Sequence, residues 1–322
     1  MTSKLFVVST VLFAFLFIIP ISAVKAADSD VVGVIISPPV IEKQVAAGDV
    51  INDVIKVTNP NSSSNLEVAV SVEDFKAKGE EGQQDFIDPA TSSNGFSLGS
   101  WITTEKSFIL NANESKEIKY TVTVPQDAEP GGHYGVIFFS PKLVNEATAS
   151  SGSGVVAIPK IGSLILLTTP GDIKYSANII QFNTDKKLYL NIENAINMLT
   201  RFQNLGTTHV KPQGNITIKN MLGKQVASLP VNDKLGNVLP DSIRKFENDW
   251  AKKYGFGLYR AEVNLVYNDG KTATAASSFW ILPWMLIVII IVVILILIWI
   301  SRNLHWGGNS KPLKVTETKE TL

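Results

Sequence analysis

From Thr272 to Ser301 the chain carries no charged residue, and Phe279 to Ile300 is apolar throughout. As a helix this stretch would span about 33 Å, enough to cross a hydrocarbon core of about 30 Å. The run Ile287-Val-Ile-Ile-Ile-Val-Val-Ile294 is apolar on every side, a pattern that few core helices of water-soluble domains show. Trp280 and Trp284 stand at one end, Trp299 and Trp306 at the other, where amphipathic rings favour the membrane–water interface. Pro283 falls in the first turn, where its missing N–H costs little. Arg302, Lys311, Lys314 and Lys319 follow the span, so the positive-inside rule puts the tail, 301–322, in the cytoplasm. Residues 279–300 are therefore the expected transmembrane helix, with Trp280, Trp284, Trp299 and Arg302 as membrane-anchor residues and the lipid bilayer as first partner.

The opposite terminus agrees. Met1-Thr-Ser-Lys4 precedes the apolar run Leu5 to Ile21 and the small residues of Ser22-Ala-Val-Lys-Ala-Ala27, the parts of a secretory signal peptide. Cleavage after Ala26 or Ala27 is expected, and an uncleaved anchor is the other reading. Together the ends predict a type I single-pass protein of the cell membrane with an extracellular ectodomain.

Between them, strand signals dominate. Leu66, Val68, Val70 and Val72 alternate with Glu67, Ala69, Ser71 and Glu73, and Ile118, Tyr120, Val122 and Val124 repeat the habit. Ile51, Ile55 and Val57 share one parity before the turn cluster Asn59-Pro-Asn61. Gly131-Gly132 turns into His133-Tyr-Gly-Val-Ile-Phe-Phe139. The small, polar 145–154 segment reads as a long hairpin loop, with an interdomain linker as the competing reading, and Ser163 to Thr168 returns as the first domain's last strand. Strands follow at 173–182, 188–192, 214–219, 224–229, 258–267 and 272–279, with Asn268-Asp-Gly270 as a hairpin turn. Arg244 to Tyr254 alone has helical character. The fold expected is all-β: two tandem antiparallel immunoglobulin-like β-sandwiches, 28–169 and 170–278, ahead of the helix.

Composition narrows the chemistry. No cysteine is present, which excludes disulfides, thiol catalysis and cysteine metal sites. Lys plus Arg and Asp plus Glu are equal at 29 each, without the basic surplus of a nucleic-acid binder. Of the three histidines, His133 reads as a strand-start residue with a satisfied ring, His209 as a loop residue near Asn215, and His305 as lying just inside the membrane. None has the company a metal site needs, and neither a Gly-x-Ser-x-Gly elbow nor a histidine partner for one is expected. Glu80-Glu81, Asp85 and Asp88 lack the spacing of a calcium loop and read as a solvated loop. Trp101 and Trp250 could stack on sugars, but core positions suit them better. Asn61, Asn113 and Asn215 begin formal glycosylation sequons. The sequence thus predicts no catalytic residues, no cofactor and no metal.

Several strings resemble one bacterial surface family. Pro125-x-x-Ala-Glu-Pro-Gly-Gly-His-Tyr-Gly-Val-Ile-Phe138 is similar to the penultimate strand of the immunoglobulin-like first domain in WxL-interacting proteins. Phe202-Gln-Asn-Leu-Gly-Thr-Thr-His-Val-Lys-Pro-Gln-Gly-Asn-Ile216, Asn237-Val-Leu-Pro-Asp-Ser-Ile-Arg244, Gly257-Leu-Tyr-Arg-Ala261 and Phe279-Trp-Ile-Leu-Pro-Trp284 resemble its second domain and exit. The resemblance implies a non-enzymatic surface protein whose ectodomain binds peptidoglycan, a cell-wall polymer, or secreted surface proteins. An accessory or sensor subunit of a membrane complex, coupled through the transmembrane helix, is the alternative.

Overall fold

The structure, a computed structural model, describes residues 32–91, 97–144, 159–192, 195–251 and 254–306. The expected signal peptide 1–27, the 145–154 segment and the tail beyond Trp306 lie outside them.

Both halves are β-sandwiches of immunoglobulin-like kind, as the strand pattern predicts. The first opens on β1 (Ile35–Ser37) and β2 (Val40–Gln44), which are joined through a cis Ser37–Pro38 peptide and belong to different sheets. It continues with β3 (Val50–Thr58), β4 (Leu66–Lys78), β5 (Gln83–Ile87), β6 (Ile102–Thr104) and β7 (Ser107–Leu110). The strands β8 (Ser115–Thr123), β9 (Gly131–Leu143) and β10 (Ile161–Thr169) complete it. One sheet runs β1-β3-β8-β6, the other β2-β10-β9-β4-β5 with β7 also on β4. Ile55 and Val57 face Ile118, Tyr120 and Val122 on one side of the core, with Leu66, Val68, Ile137, Phe139, Ile165 and Leu167 on the other. β9 and β10 pair antiparallel from Gly131↔Thr169 to Phe139↔Ile161, so the chain between them links neighbouring strands of one sheet.

The second sandwich contains β11 (Ala177–Thr184), β12 (Leu188–Tyr189), β13 (Ile196–Asn204), β14 (Gln213–Asn220), β15 (Gln225–Val231), β16 (Ser242–Trp250), β17 (Gly257–Tyr267) and β18 (Lys271–Ile281). Its sheets run β11-β13-β16 and β12-β18-β17-β14-β15. Met198, Phe202, Ile216, Ile218, Val263 and Phe279 fill the core between them. The β17–β18 turn is Asn268-Asp-Gly270, all three at positive φ, as its residue types require.

Three expectations need correction. The helical character expected of Arg244–Tyr254 is not found over Arg244–Trp250, which is strand: β16 pairs with β13 from Ser242↔Asn204 to Trp250↔Ile196. Lys245, Glu247 and Asp249 alternate with Phe246 and Trp250, and the partner strand decides the conformation where intrinsic propensity is weak. The sheets are not wholly antiparallel, because β2 runs parallel to β10 and β12 parallel to β18. The terminal helix α1 (Trp284–Trp306) begins at Trp284 rather than Phe279. Phe279 and Ile281 are buried strand residues of β18, while Trp280 points out of the core. Pro283 separates the two conformations, since it can open a helix but cannot extend a ladder. The stretch Trp284–Asn303 is long and apolar enough to cross a membrane, and its side chains are uncovered by the sandwiches. Trp284, Trp299 and Arg302 are exposed along it.

Candidate interdomain binding cleft

β9 and β10 bury both faces. Inward residues enter the first core, while Val136, Phe138 and Leu166 form a separate apolar cluster with Phe75 of β4 and with Leu239 from the second sandwich. Phe86 of β5 extends the patch edge-on to Phe138, at 4.8 Å between ring centroids. The outer face of this sheet is thus an apolar floor that the second sandwich partly covers. A cavity of about 410 Å³ lies where the cover ends, bounded by Val40, Phe75, Leu164, Asn237, Leu239 and Arg244 among others.

Polar contacts fix the two walls. The β4–β5 turn reaches across: Arg201 Nε donates to Glu80 Oε2 at 2.7 Å, with a second Arg201–Glu80 contact, and Lys245 pairs with Glu81 at 3.0 Å. The Lys245 backbone N–H also donates to the Glu80 carbonyl. Glu42 of β2 accepts from Lys211 (2.5 Å) and Asn237 (2.8 Å). The His209 N–H donates to Tyr134 Oη at 2.8 Å, and the Gly132 N–H to the Thr207 carbonyl at 2.9 Å. That last approach needs glycine at position 131, where φ is +134° and a Cβ would sit 2.8 Å from the Thr207 carbonyl oxygen.

The ion pairs at this joint are a third to a half exposed, for example 30% on both Glu80 and Arg201 and 53% on Glu81, a setting in which solvent screening leaves each little net worth. Burying Leu239 contributes more, about 1.5–3 kcal/mol. Apolar contact and the Tyr134–His209 bond therefore outweigh the visible salt bridges.

Arg244 is the unusual cation. Its Nη1 donates to the Asn237 carbonyl at 2.7 Å rather than to a carboxylate, and burial pulls its pKa down. Gly82 of the first sandwich and Gly236 of the second press on the guanidinium, where a Cβ on either would fall within about 2.6 Å of it. Beside it Asn237 Oδ1 is a buried acceptor without a donor. One charged donor thus stands over an apolar floor, beside a buried acceptor that lacks a donor.

The residues weighed from sequence fall elsewhere. His133 is fully buried, with Nε2 3.0 Å from the Glu129 carbonyl and its ring against Trp101. His209 joins the domain contact, not Asn215, which lies within β14. Trp101 and Trp250 are core residues, so stacking on sugars is closed to them. Glu80 and Glu81 dock on the second sandwich rather than sitting in a solvated loop, Asp85 lies near Lys76 and Lys78, and Asp88 accepts from the Ala90 N–H. The expectation that no serine elbow is present needs correction, because Gly95-Phe-Ser97-Leu-Gly99 has its spacing, yet Ser97 caps a four-residue 3₁₀ turn rather than joining a strand to a helix. Among the described residues no group of three His, Asp or Glu is placed to hold a metal. Arg244 escaped the sequence reading. The uninterrupted apolar run Tyr134 to Phe139 was the available signal, since a strand covered on one face only would alternate.

No family model matches the chain, and no curated protein matches it. Among solved structures it is similar to the class 5 fimbriae chaperone CfaA, at 14% identity over 77% of this chain and 99% of that one, with a TM-score of 0.38. It is also similar to the Pseudomonas aeruginosa CupB2 chaperone (9% identity, 76% and 100% covered, TM-score 0.36). The E. coli chaperone DraB stands at 11% identity, 77% and 97% covered, and a TM-score of 0.35. At these values the likeness is one of outline, and the site rests on its own geometry.

Proposed function

We propose that this is a non-enzymatic surface protein, held in the cell membrane by α1 with its sandwiches outside, whose interdomain cleft binds an extended segment of a secreted surface protein. This agrees with the resemblance to WxL-interacting proteins. The supporting observation is Arg244 and Asn237 Oδ1 above the floor of Phe75, Leu164 and Leu239. A peptide offers a carboxylate to Arg244 and an apolar side chain to the floor. Peptidoglycan, whose stem peptides also carry carboxylates, is the other ligand class.

The test uses the full chain in nanodiscs against purified peptidoglycan and, separately, secreted surface proteins. One of the two is retained, and Arg244→Gln weakens that binding about tenfold or more, the effect of losing a charge-assisted hydrogen bond of about 1.5–3 kcal/mol. Retention of neither refutes the adhesive reading. Unchanged binding by Arg244→Gln moves the site out of the cleft.

One observation favours the accessory or sensor alternative: only Leu282 and Pro283 separate β18 from α1, so the ectodomain and the helix are closely coupled. A stoichiometric membrane protein co-purifying in mild detergent supports that reading.

A further inference from the structure

The second sandwich concentrates its most exposed large apolar loop side chains at one end of its five-stranded sheet, while Leu205 and Leu235, 40% and 46% exposed, stand at the other. β18 runs toward α1, β17 runs away from it, and β14 runs back toward it, with Tyr259 paired to both Phe279 and Asn220. The turn after Asn220 therefore projects on the α1 side, and its tip is Met221-Leu222, 60% and 85% exposed. The segment entering β17 holds Tyr254 and Phe256, 84% and 53% exposed, and Gly257 lies against Met221 Sδ. β12 lies parallel to the end of β18, and the Trp284 N–H, the first of α1, donates to the Leu190 carbonyl. Leu190 and Trp280 are also exposed.

At the far end of β17 and β18 the turn is Asn268-Asp-Gly270. Eleven paired residues separate the two ends, about 35 Å of strand. Apolar side chains scattered singly over a surface need no explanation, but a ring of them around the base of an apolar helix does. Lys186 and Lys224, both exposed, flank the ring, where a long stem can lie along the interface and place its charge among headgroups.

We infer that this end of the second sandwich is itself seated in the bilayer surface: Met221, Leu222, Tyr254, Phe256 and Leu190 dip into the interfacial region around the helix. The occupant is lipid, because the ring is continuous with the segment that enters the membrane. Tyr and Trp favour that depth. The ectodomain would then stand on the membrane at a fixed inclination, with Gly270 pointing away from it.

The inference rests on α1 spanning a membrane, and the test separates the two. The chain has no cysteine, so Leu222→Cys, Tyr254→Cys, Asp269→Cys and Ile291→Cys each take one environment-sensitive fluorophore without interference. The labelled full chain is placed in vesicles of phosphatidylcholine and phosphatidylglycerol carrying nitroxide quenchers at a shallow or a deep acyl position. Emission at 222 and 254 falls at least twofold with the shallow quencher and shifts to the blue. Emission at 269 does not change, and that at 291 falls with the deep quencher. If 291 is quenched while 222 and 254 behave like 269, the seated sandwich is refuted and the anchor stands. If 291 is not quenched, both fall.

Discussion

A buried asparagine closes a strand in each sandwich. Asn59, directly after β3, donates from Nδ2 to the carbonyls of Ser64 and Asn111 and accepts from the Asn61 N–H. Asn204, the last residue of β13, donates to the carbonyls of Thr208 and Val238 and accepts from the Gly206 N–H. Both are fully buried, so one side chain satisfies three backbone groups that water cannot reach. Replacing Asn204 by alanine removes its bonds to the Thr208 carbonyl and the Gly206 N–H, while the Val238 carbonyl keeps the Val210 N–H, and a loss of about 2–4 kcal/mol is expected by chemical denaturation. The loop it holds, 205–209, carries His209 and Thr207 to the first sandwich, so the variant also weakens the joint. A second residue-scale expectation concerns Gly236. Its φ is ordinary, so Gly236→Ala tests contact with Arg244 alone, and a melting temperature lowered by the equivalent of about 1–3 kcal/mol is expected from overpacking.

Among elements, β9 shows where sequence pattern carries information and where it stops. One face of β9 enters a core and the other an interdomain floor, so its outward Val136 is as buried as its inward Ile137. Val136→Thr should cost about 1–3 kcal/mol by urea titration, the desolvation of a hydroxyl with no partner. At an outward position of an ordinary half-exposed sheet the same change costs little. The alternating runs of β3, β4 and β8, the β17–β18 hairpin and the apolar terminal helix were legible because each has a strict period, a diagnostic turn or an unbroken apolar run. β13 was missed, although its parity is perfect, because Thr200 and Asn204 occupy core positions as polar residues. β16 was misread because charged residues on an edge strand imitate a helix surface. The cleft was invisible for a different reason: Arg244, Asn237, Glu80 and Phe75 meet only through the relative placement of two sandwiches, which no local period encodes.

For the molecule as a whole, the joint between sandwiches is sensitive to acid. Burial opposes ionisation of Glu42, but hydrogen bonds from Lys211 and Asn237 and the Lys211 charge hold its pKa below the usual 4.5. Hydrogen bonds from Arg201 do the same for Glu80. Burial lowers His209 below 6.5, against the opposing pull of Glu42. All three bind protons more readily in the unfolded chain, so each loses stabilisation as pH falls. For His209 the loss begins as pH drops past 6.5, where the unfolded imidazole charges. For the two carboxylates stability is intact above 4.5 and is lost as pH falls through their depressed values. Melting temperature against pH should therefore decline in two stages. His209→Gln flattens the upper stage and leaves the lower one, whereas Glu42→Gln reduces the lower. Curves parallel to wild type would contradict this assignment.

Charge divides by region: the 1–27 segment carries two lysines and no acid, and 302–322 four basic and two acidic residues, each +2. The remaining 28–301 holds 23 basic and 27 acidic residues, 23 − 27 = −4. Long-range attraction to anionic polymers is thus absent, and recognition of such a ligand falls to local groups such as Arg244.

The direct passage from β18 into α1 has a mechanical consequence. A pull between the sandwiches and α1 passes along β18, which is bonded to β17 over eleven residues and flanked near its exit by β12. Tension along that axis loads the ladder in shear, so its bonds resist together instead of being peeled one at a time. The strand that leads into α1 is thereby built as a tether, able to bear load without first paying out slack.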